Sequence, residues 1–236
     1  IGFGGYPSVP TMIAASRAHL ATAIHEQNAI LGRANRLLAP RVLRIATSFE
    51  RTGAIAEPDR VKIAVTGNPV RPAIAALAAR AYQAPRHDGP LNLLIIGGSQ
   101  GARLFADLVP AAIALSPPQI RDRLDIAQHC RPEDLERVRE SYAAGSVRAT
   151  CSTFFDDIPA RLEGAHLVIC RAGASTVSEL ATAGRPAILI PYAHATDDHQ
   201  TNNAATLQAA GGAIILGEPE AKPARLAECL NGFLAS

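Results

Sequence analysis

Tryptophan is absent from this 236-residue chain, and aromatic residues make up only 4% of it. Stacking platforms for nucleobases are therefore scarce. The formal net charge of +2 is far from the basic footprint of a nucleic-acid binder, so no nucleic-acid partner is expected. Cysteine is sparse: Cys130, Cys151, Cys170 and Cys229 form no C-x-x-C pair and have no zinc-site spacing. Free thiols in a reducing compartment are the simplest account. No apolar run approaches the roughly 18 residues of a membrane span, and no signal-peptide pattern opens the chain. What remains, 48% hydrophobic and 19% charged, is ordinary for a globular protein. The length suits two modest domains or one large one. The opening Ile1-Gly2-Phe3-Gly4-Gly5 reads as the middle of something, because a Gly-Gly turn usually follows an element. The expectation is a piece of a longer chain.

Short apolar runs alternate with helical patterns. Strands are expected at 21–25, 42–46, 61–65, 91–96, 124–129, 147–151, 167–170, 187–190 and 213–216, and helices at 29–38, 103–115, 132–144, 176–183, 200–210 and 222–234. The runs are continuous rather than alternating, which means strands buried on both faces. Strand–helix alternation then implies parallel sheets with right-handed crossovers. The best break lies between residues 65 and 91, around Gly67-Asn68-Pro69 and a polar stretch ending at Pro90. The fold class expected is α/β, with two Rossmann-like parallel-sheet halves, the first lacking its opening strands.

Ligands of such sheets sit beyond the carboxyl ends of the strands, and four loops there carry polar groups. Gly97-Gly98-Ser99-Gln100-Gly101 follows the clearest strand. It is an anion site by its free N–H groups, or a turn with Ser99 as N-cap. It is neither G-x-G-x-x-G nor a Walker A loop, and no acidic residue ends the next strand, so a Rossmann oxidoreductase is disfavoured. The second loop runs through Gly173, Ala174, Ser175, Thr176, Val177, Ser178 and Glu179. Thr176 and Glu179 fit a capping box, yet a carboxylate also offers two oxygens to a ribose diol. The sequence leaves that choice open. In the third, Pro191 to Gln200, Gln200 and the nearby Asn203 are read as groups for sugar hydroxyls. A metal reading of Asp197, Asp198, His194 and His199 is weaker, since their spacing matches no ligand pattern. The fourth, His25-Glu26-Gln27-Asn28, ends a strand of the first half. His25 is a weak candidate for a general base and a better one for a structural histidine.

Taken together, GFGGYPSVP, HEQNAILGRANR, TGNPVRPAI, LLIIGGSQGARLF, FFDDIPARL, ICRAGASTVSELATAGRPAILIPYAHATDDHQTNNA and AGGAIIL resemble the MurG family. These are UDP-N-acetylglucosamine:N-acetylmuramyl-(pentapeptide) pyrophosphoryl-undecaprenol N-acetylglucosamine transferases of bacterial peptidoglycan synthesis. The segments run in the family's order over nearly the whole chain. The resemblance implies a two-domain glycosyltransferase of the B type that moves N-acetylglucosamine to lipid I with inversion, forming lipid II. It implies no cofactor and no metal. It also implies a peripheral seat on the cytoplasmic face of the inner membrane. Residues 1–70 would be a partial acceptor-side domain and 71–236 the donor-binding domain. The family's donor contacts fall on Asn28, Arg71, Ser99, Phe155, Ala174, Ser175, Thr176, Val177, Ser178, Glu179 and Gln200. Of these, Phe155 stands where the uracil is met through backbone, Glu179 would hold the ribose, and Ser99 with the Ser175/Thr176 helix start the diphosphate. Gln200 and Asn28 would hold the sugar. The family's N-terminal glycine-rich loop, with a histidine thought to be catalytic, has no match in these residues, nor has its apolar, basic membrane patch. The catalytic residue is therefore unassigned, and these residues by themselves are expected to bind donor without turnover. A non-catalytic nucleotide-sugar module is the alternative.

Overall fold

The computed structural model describes residues 1–98 and 102–234. It contains two parallel sheets. The smaller joins β1 (Ala23–Glu26), β2 (Arg44–Thr47) and β3 (Ile63–Val65) in that order. Helices α1 (Ser8–Arg17) and α2 (Arg33–Leu38) belong to the same half. Its core is Met12, Ile24, Leu31, Leu38, Val42, Ile45 and Ile55.

The larger sheet has six strands: β4 (Leu91–Ile96), β5 (Leu124–His129), β6 (Arg148–Ser152), β7 (Leu167–Cys170), β8 (Ala187–Leu189) and β9 (Ala213–Ile215). Their spatial order is β6-β5-β4-β7-β8-β9, all parallel. The order reverses direction between β4 and β7, which opens a crevice beyond their carboxyl ends. The helices are α3 (Pro72–Ala75), α4 (Ala102–Ala114), α5 (Pro118–Arg121), α6 (Leu135–Ala144), α7 (Ile158–Gly164), α8 (Ala174–Ala183), α9 (His199–Ala209) and α10 (Pro223–Leu234). One face of the sheet packs through Leu93, Ile95, Ile126, Leu167, Ile169 and Ile188 against residues of α4, α6 and α10. The other packs through Leu94, Val168, Cys170 and Leu189 against α3, α7, α8 and α9. Adjacent residues of β4 and β7 thus serve opposite cores, which is why these strands read as unbroken apolar runs.

All nine expected strands are present, with ends shifted by two residues at most. The helix expected over 29–38 starts only at Arg33, and α1, α5 and α7 are additional. Each addition holds a proline within or near its first turn and is ten residues or shorter, so pattern alone does not reveal it. Gly184 ends α8 in the left-handed region (φ 62°), the backbone that a helix C-cap favours and that glycine takes without strain.

Candidate functional site

Helix α8 begins one half-turn earlier than its sequence suggests. Gly173 is its N-cap, in extended geometry (φ −63°, ψ 146°) and without a side-chain cap. Its carbonyl accepts from Val177 N at 2.9 Å. The capping box is therefore not formed: Thr176 sits inside the first turn, and Glu179 does not reach back. Glu179 is instead held by Arg71, whose Nε lies 3.0 Å from Oε1 and Nη2 3.2 Å from Oε2. A partner distant in the chain outcompetes the local cap, which sequence spacing cannot register. Val177 faces the core, and Ser178 Oγ donates to Ala174 O at 2.8 Å, so both offer a ligand backbone more than side chain. The Ser175 and Thr176 hydroxyls engage no described protein group, and the N–H groups of the first turn point outward with the positive end of the helix dipole.

Thr176 and Gln200 line one cleft of about 400 Å³, with Gly98, Arg171, Tyr192 and His199. Arg171 forms its floor. The residue is 8% exposed; Nη1 donates to Ile190 O at 3.1 Å, Pro191 O at 3.2 Å and Glu218 Oε2 at 2.9 Å, and Nη2 to Glu218 Oε1 at 3.2 Å. Burial by itself would raise the Glu218 carboxyl, but hydrogen bonds from Arg171 and the Ala193 N–H, with the Arg171 charge, hold it below its ordinary range. Sequence reasoning passed over Arg171 and Glu218. The one available signal was a cation placed directly after the buried run of β7.

Gln200 Oε1 accepts from Ala172 N at 3.2 Å and Tyr192 N at 3.0 Å. Asn203, read from sequence as a sugar contact, is fully buried and has a different task. Its Oδ1 accepts from Ala29 N at 2.7 Å, and its Nδ2 donates to Asn28 Oδ1 and Ala172 O, both at 3.1 Å. It ties the two halves together, and no face is left for a ligand. Asn28 is further fixed by Glu26 Oε1, which accepts from both its N and its Nδ2 at 3.0 Å.

A second cleft, about 420 Å³, opens at the carboxyl end of β1 and is lined by Gly4, Glu26, Gln27, Asn28 and Arg33. Thr196 and His199 line both clefts. His25 has both ring nitrogens engaged: Nε2 lies 3.1 Å from Gly67 O and Nδ1 3.0 Å from Gln27 Nε2. That is the geometry of a structural histidine. The loop between the clefts is unusual. Asp197 and Asp198 are both left-handed (φ 53° and 51°), and Asp197 is clasped by Arg33 and Arg36 of the other half. Among the described residues no three His, Cys, Asp or Glu groups converge as a metal site.

Phe155 is buried in the loop after β6, with the Arg161 guanidinium 4.1 Å from its ring centroid. It lines neither cleft. Ser99 lies outside the described residues.

Residues 92–235 match the model of the glycosyltransferase family 28 C-terminal domain, and residues 1–47 that of its N-terminal domain. The chain belongs to glycosyltransferase family 28. Two relatives are each named UDP-N-acetylglucosamine--N-acetylmuramyl-(pentapeptide) pyrophosphoryl-undecaprenol N-acetylglucosamine transferase. The one from Rhodospirillum centenum is 53% identical over 99% of this chain and 62% of its own length. The one from Rhodospirillum rubrum is 56% identical over 99% and 60%. The chain thus spans about three fifths of these relatives. The crystal structure of Acinetobacter baumannii MurG superposes with a TM-score of 0.79 at 32% identity, over 99% of this chain and 66% of that one. A putative UDP-N-acetylglucosamine 2-epimerase from Listeria monocytogenes shares the fold at 17% identity (TM-score 0.67). For a family 28 chain, the B-type arrangement of two parallel-sheet halves is the architecture that sets the two clefts against one another.

Proposed function

We propose that the whole protein transfers N-acetylglucosamine from UDP-N-acetylglucosamine to lipid I, giving lipid II with inversion at the anomeric carbon. The observation that carries this reading is that a cleft lined mostly by the smaller half and a cleft lined by the larger half meet at Thr196 and His199. A transferase must bring a donor and an acceptor to one point, and this junction supplies it. The names of the relatives supply the identities of the two substrates.

In this reading the donor lies along the larger sheet, in the domain running from 71 to 236. Glu179 accepts from the ribose hydroxyls. Arg71, the first turn of α8 and Ser99 meet the diphosphate, the backbone at Phe155 meets uracil, and Gln200 and Asn28 meet the sugar. Asn28 retains one amide hydrogen and one lone pair for this. The acceptor hydroxyl attacks the anomeric carbon opposite the departing UDP, while a base takes its proton. The N–H groups and dipole of α8 offset the charge growing on the diphosphate, a preorganised electrostatic effect. Cationic and helix-end groups do this, so no metal is assigned. The lipid-linked acceptor places the reaction at a membrane surface, on the cytoplasmic side where nucleotide sugars and the free thiols belong. Among the described residues no helix is long and apolar enough to cross a membrane.

The test separates binding from transfer. UDP and UDP-N-acetylglucosamine are titrated into the chain, and transfer of labelled sugar to a lipid I analogue is followed in parallel. UDP should bind and ADP should compete poorly; equal competition by ADP overturns the uracil assignment. A tenfold loss of donor affinity on adding EDTA, about 1.4 kcal/mol, would overturn metal independence. Donor binding without transfer by a protein carrying all of its relatives' length would favour the non-catalytic binding module instead.

A further inference from the structure

The polar contacts between the halves are of two kinds. Asn203 is buried and neutral, with bonds to Ala29 and Asn28. Asp197 lies at the rim, where Arg33 Nη2 donates to Oδ1 at 3.3 Å and Arg36 Nη2 donates to Oδ2. The Arg33 and Arg36 side chains are 63% and 40% exposed, so salt screens this contact and leaves Asn203 untouched. Each side of the ionic contact is unfavourable by itself. Arg33 and Arg36 are like charges one turn apart on α2, whose first turn holds no acid. Asp197 and Asp198 both take the left-handed backbone (φ 53° and 51°), a strain that persists only where surrounding contacts hold it. The meeting of the halves offsets both.

The place of the contact matters as much as its chemistry. Arg33 and Asp197 line the first cleft, and Thr196 and His199, which flank Asp197, line both clefts. The chain passes from the smaller half to the larger through Gly67, which is left-handed (φ 73°) and has no described atom within 4 Å of where a Cβ would stand. Such a residue absorbs the rotation of a hinge. We infer that Asp197, Arg33 and Arg36 form an ionic strap across the mouth where the two clefts meet. Closed, it holds the halves as they stand here. Released, it lets them swing about Gly67 and admits ligands to the junction. Because both ends are locally unfavourable, the strap is a two-state contact and not a permanent brace. It does not depend on which ligands the clefts take.

The experiment measures the separation of the halves. Spin labels are carried on cysteines introduced at Arg17 and Glu140, exposed positions of α1 and α6, in a Cys229→Ser background; Cys130, Cys151 and Cys170 are buried. Pulsed electron resonance then gives the distance distribution. The parent should be narrow at low salt. It should lengthen and broaden between about 0.01 and about 1 M KCl, as the screening length falls from about 30 to about 3 Å. Asp197→Asn should show the long distances already at low salt, with the ratio of closed to open molecules down roughly fivefold, the upper end for one exposed ion pair. Reversing both sides, Asp197→Lys with Arg33→Glu and Arg36→Glu, should restore the short, salt-sensitive distance. Asp198→Asn removes a charge that has no ion-pair partner among the described residues, and it should match the parent. The strap is overturned by a salt-independent distribution in the parent, by parental distances in Asp197→Asn at low salt, or by equal opening in Asp198→Asn and Asp197→Asn.

Discussion

Arg71 and Glu179 meet as a two-point ion pair across 108 positions of sequence, with both guanidinium-to-carboxylate distances between 3.0 and 3.2 Å. The Arg71 side chain is 55% exposed and that of Glu179 20%. A pair so open to water contributes at most about 1 kcal/mol to folding. As ligand groups the same two residues would matter far more, since bonds to charged groups contribute roughly 1.5–3 kcal/mol. Glu179→Ala should leave the urea midpoint nearly in place while UDP affinity falls tenfold or more. A large drop in the midpoint with unchanged affinity would make the pair a structural brace and nothing else.

Asn203 makes the opposite case. It is fully buried and bonds Ala29, Asn28 and Ala172. Asn203→Ala strands a buried N–H and a buried carbonyl, and roughly 2–3 kcal/mol of stability should go with them. Equilibrium denaturation measures this. A loss below about 0.5 kcal/mol, the scale of an ordinary surface change, would mean that the clasp between the halves is dispensable.

Two adjacent aspartates allow a matched comparison. Asp198 is left-handed (φ 51°), and its carboxylate has no ion-pair partner among the described residues. The left-handed backbone costs an ordinary residue about 1–2 kcal/mol, less the entropy that glycine loses on folding. Asp198→Gly should therefore raise stability by about 0.5 kcal/mol. Asp197→Gly relieves the same strain but removes the clasp on Arg33 and Arg36, so it should gain less or lose. Thermal melts of the two variants side by side decide it: the idea fails if Asp198→Gly melts below the parent.

Cys170 ends β7 in the core, and burial pushes its thiol from an ordinary 9.0 up to about 12. The folded state holds the thiol neutral, whereas the unfolded chain ionises it more readily. The stability this group confers is complete below pH 9.0 and is lost as the pH climbs towards 12. Unfolding midpoints measured from pH 8 to 11 should decline, and the decline should be shallower in Cys170→Ala, whatever that variant's own baseline. Parallel slopes for the two proteins would assign the alkaline sensitivity elsewhere.

Local chemistry fixed the strands. Leu91–Ile96 and Leu167–Cys170 are apolar at every or nearly every position because each strand feeds two cores, so their burial is written as composition. The loops that carry polar groups follow from the same reading, since parallel strands must deliver them to one edge. Helix periods long enough to average out, such as α4 and α10, were legible too. What the sequence could not decide was which polar group meets which. Thr176 and Glu179 have the spacing of a cap, and only the fold brings Arg71 to Glu179 and makes Gly173 the N-cap. Asn203 looks like a ligand group in a polar loop, and only packing shows it buried between the halves. Gln200 carries a donor and an acceptor at once, and its sense is set by Ala172 and Tyr192. Burial and hydrogen-bond partnership are pairwise quantities between residues far apart in the chain. A sequence lists the partners but not the pairs, and only the folded backbone, by excluding water from some pairings and permitting others, selects among them.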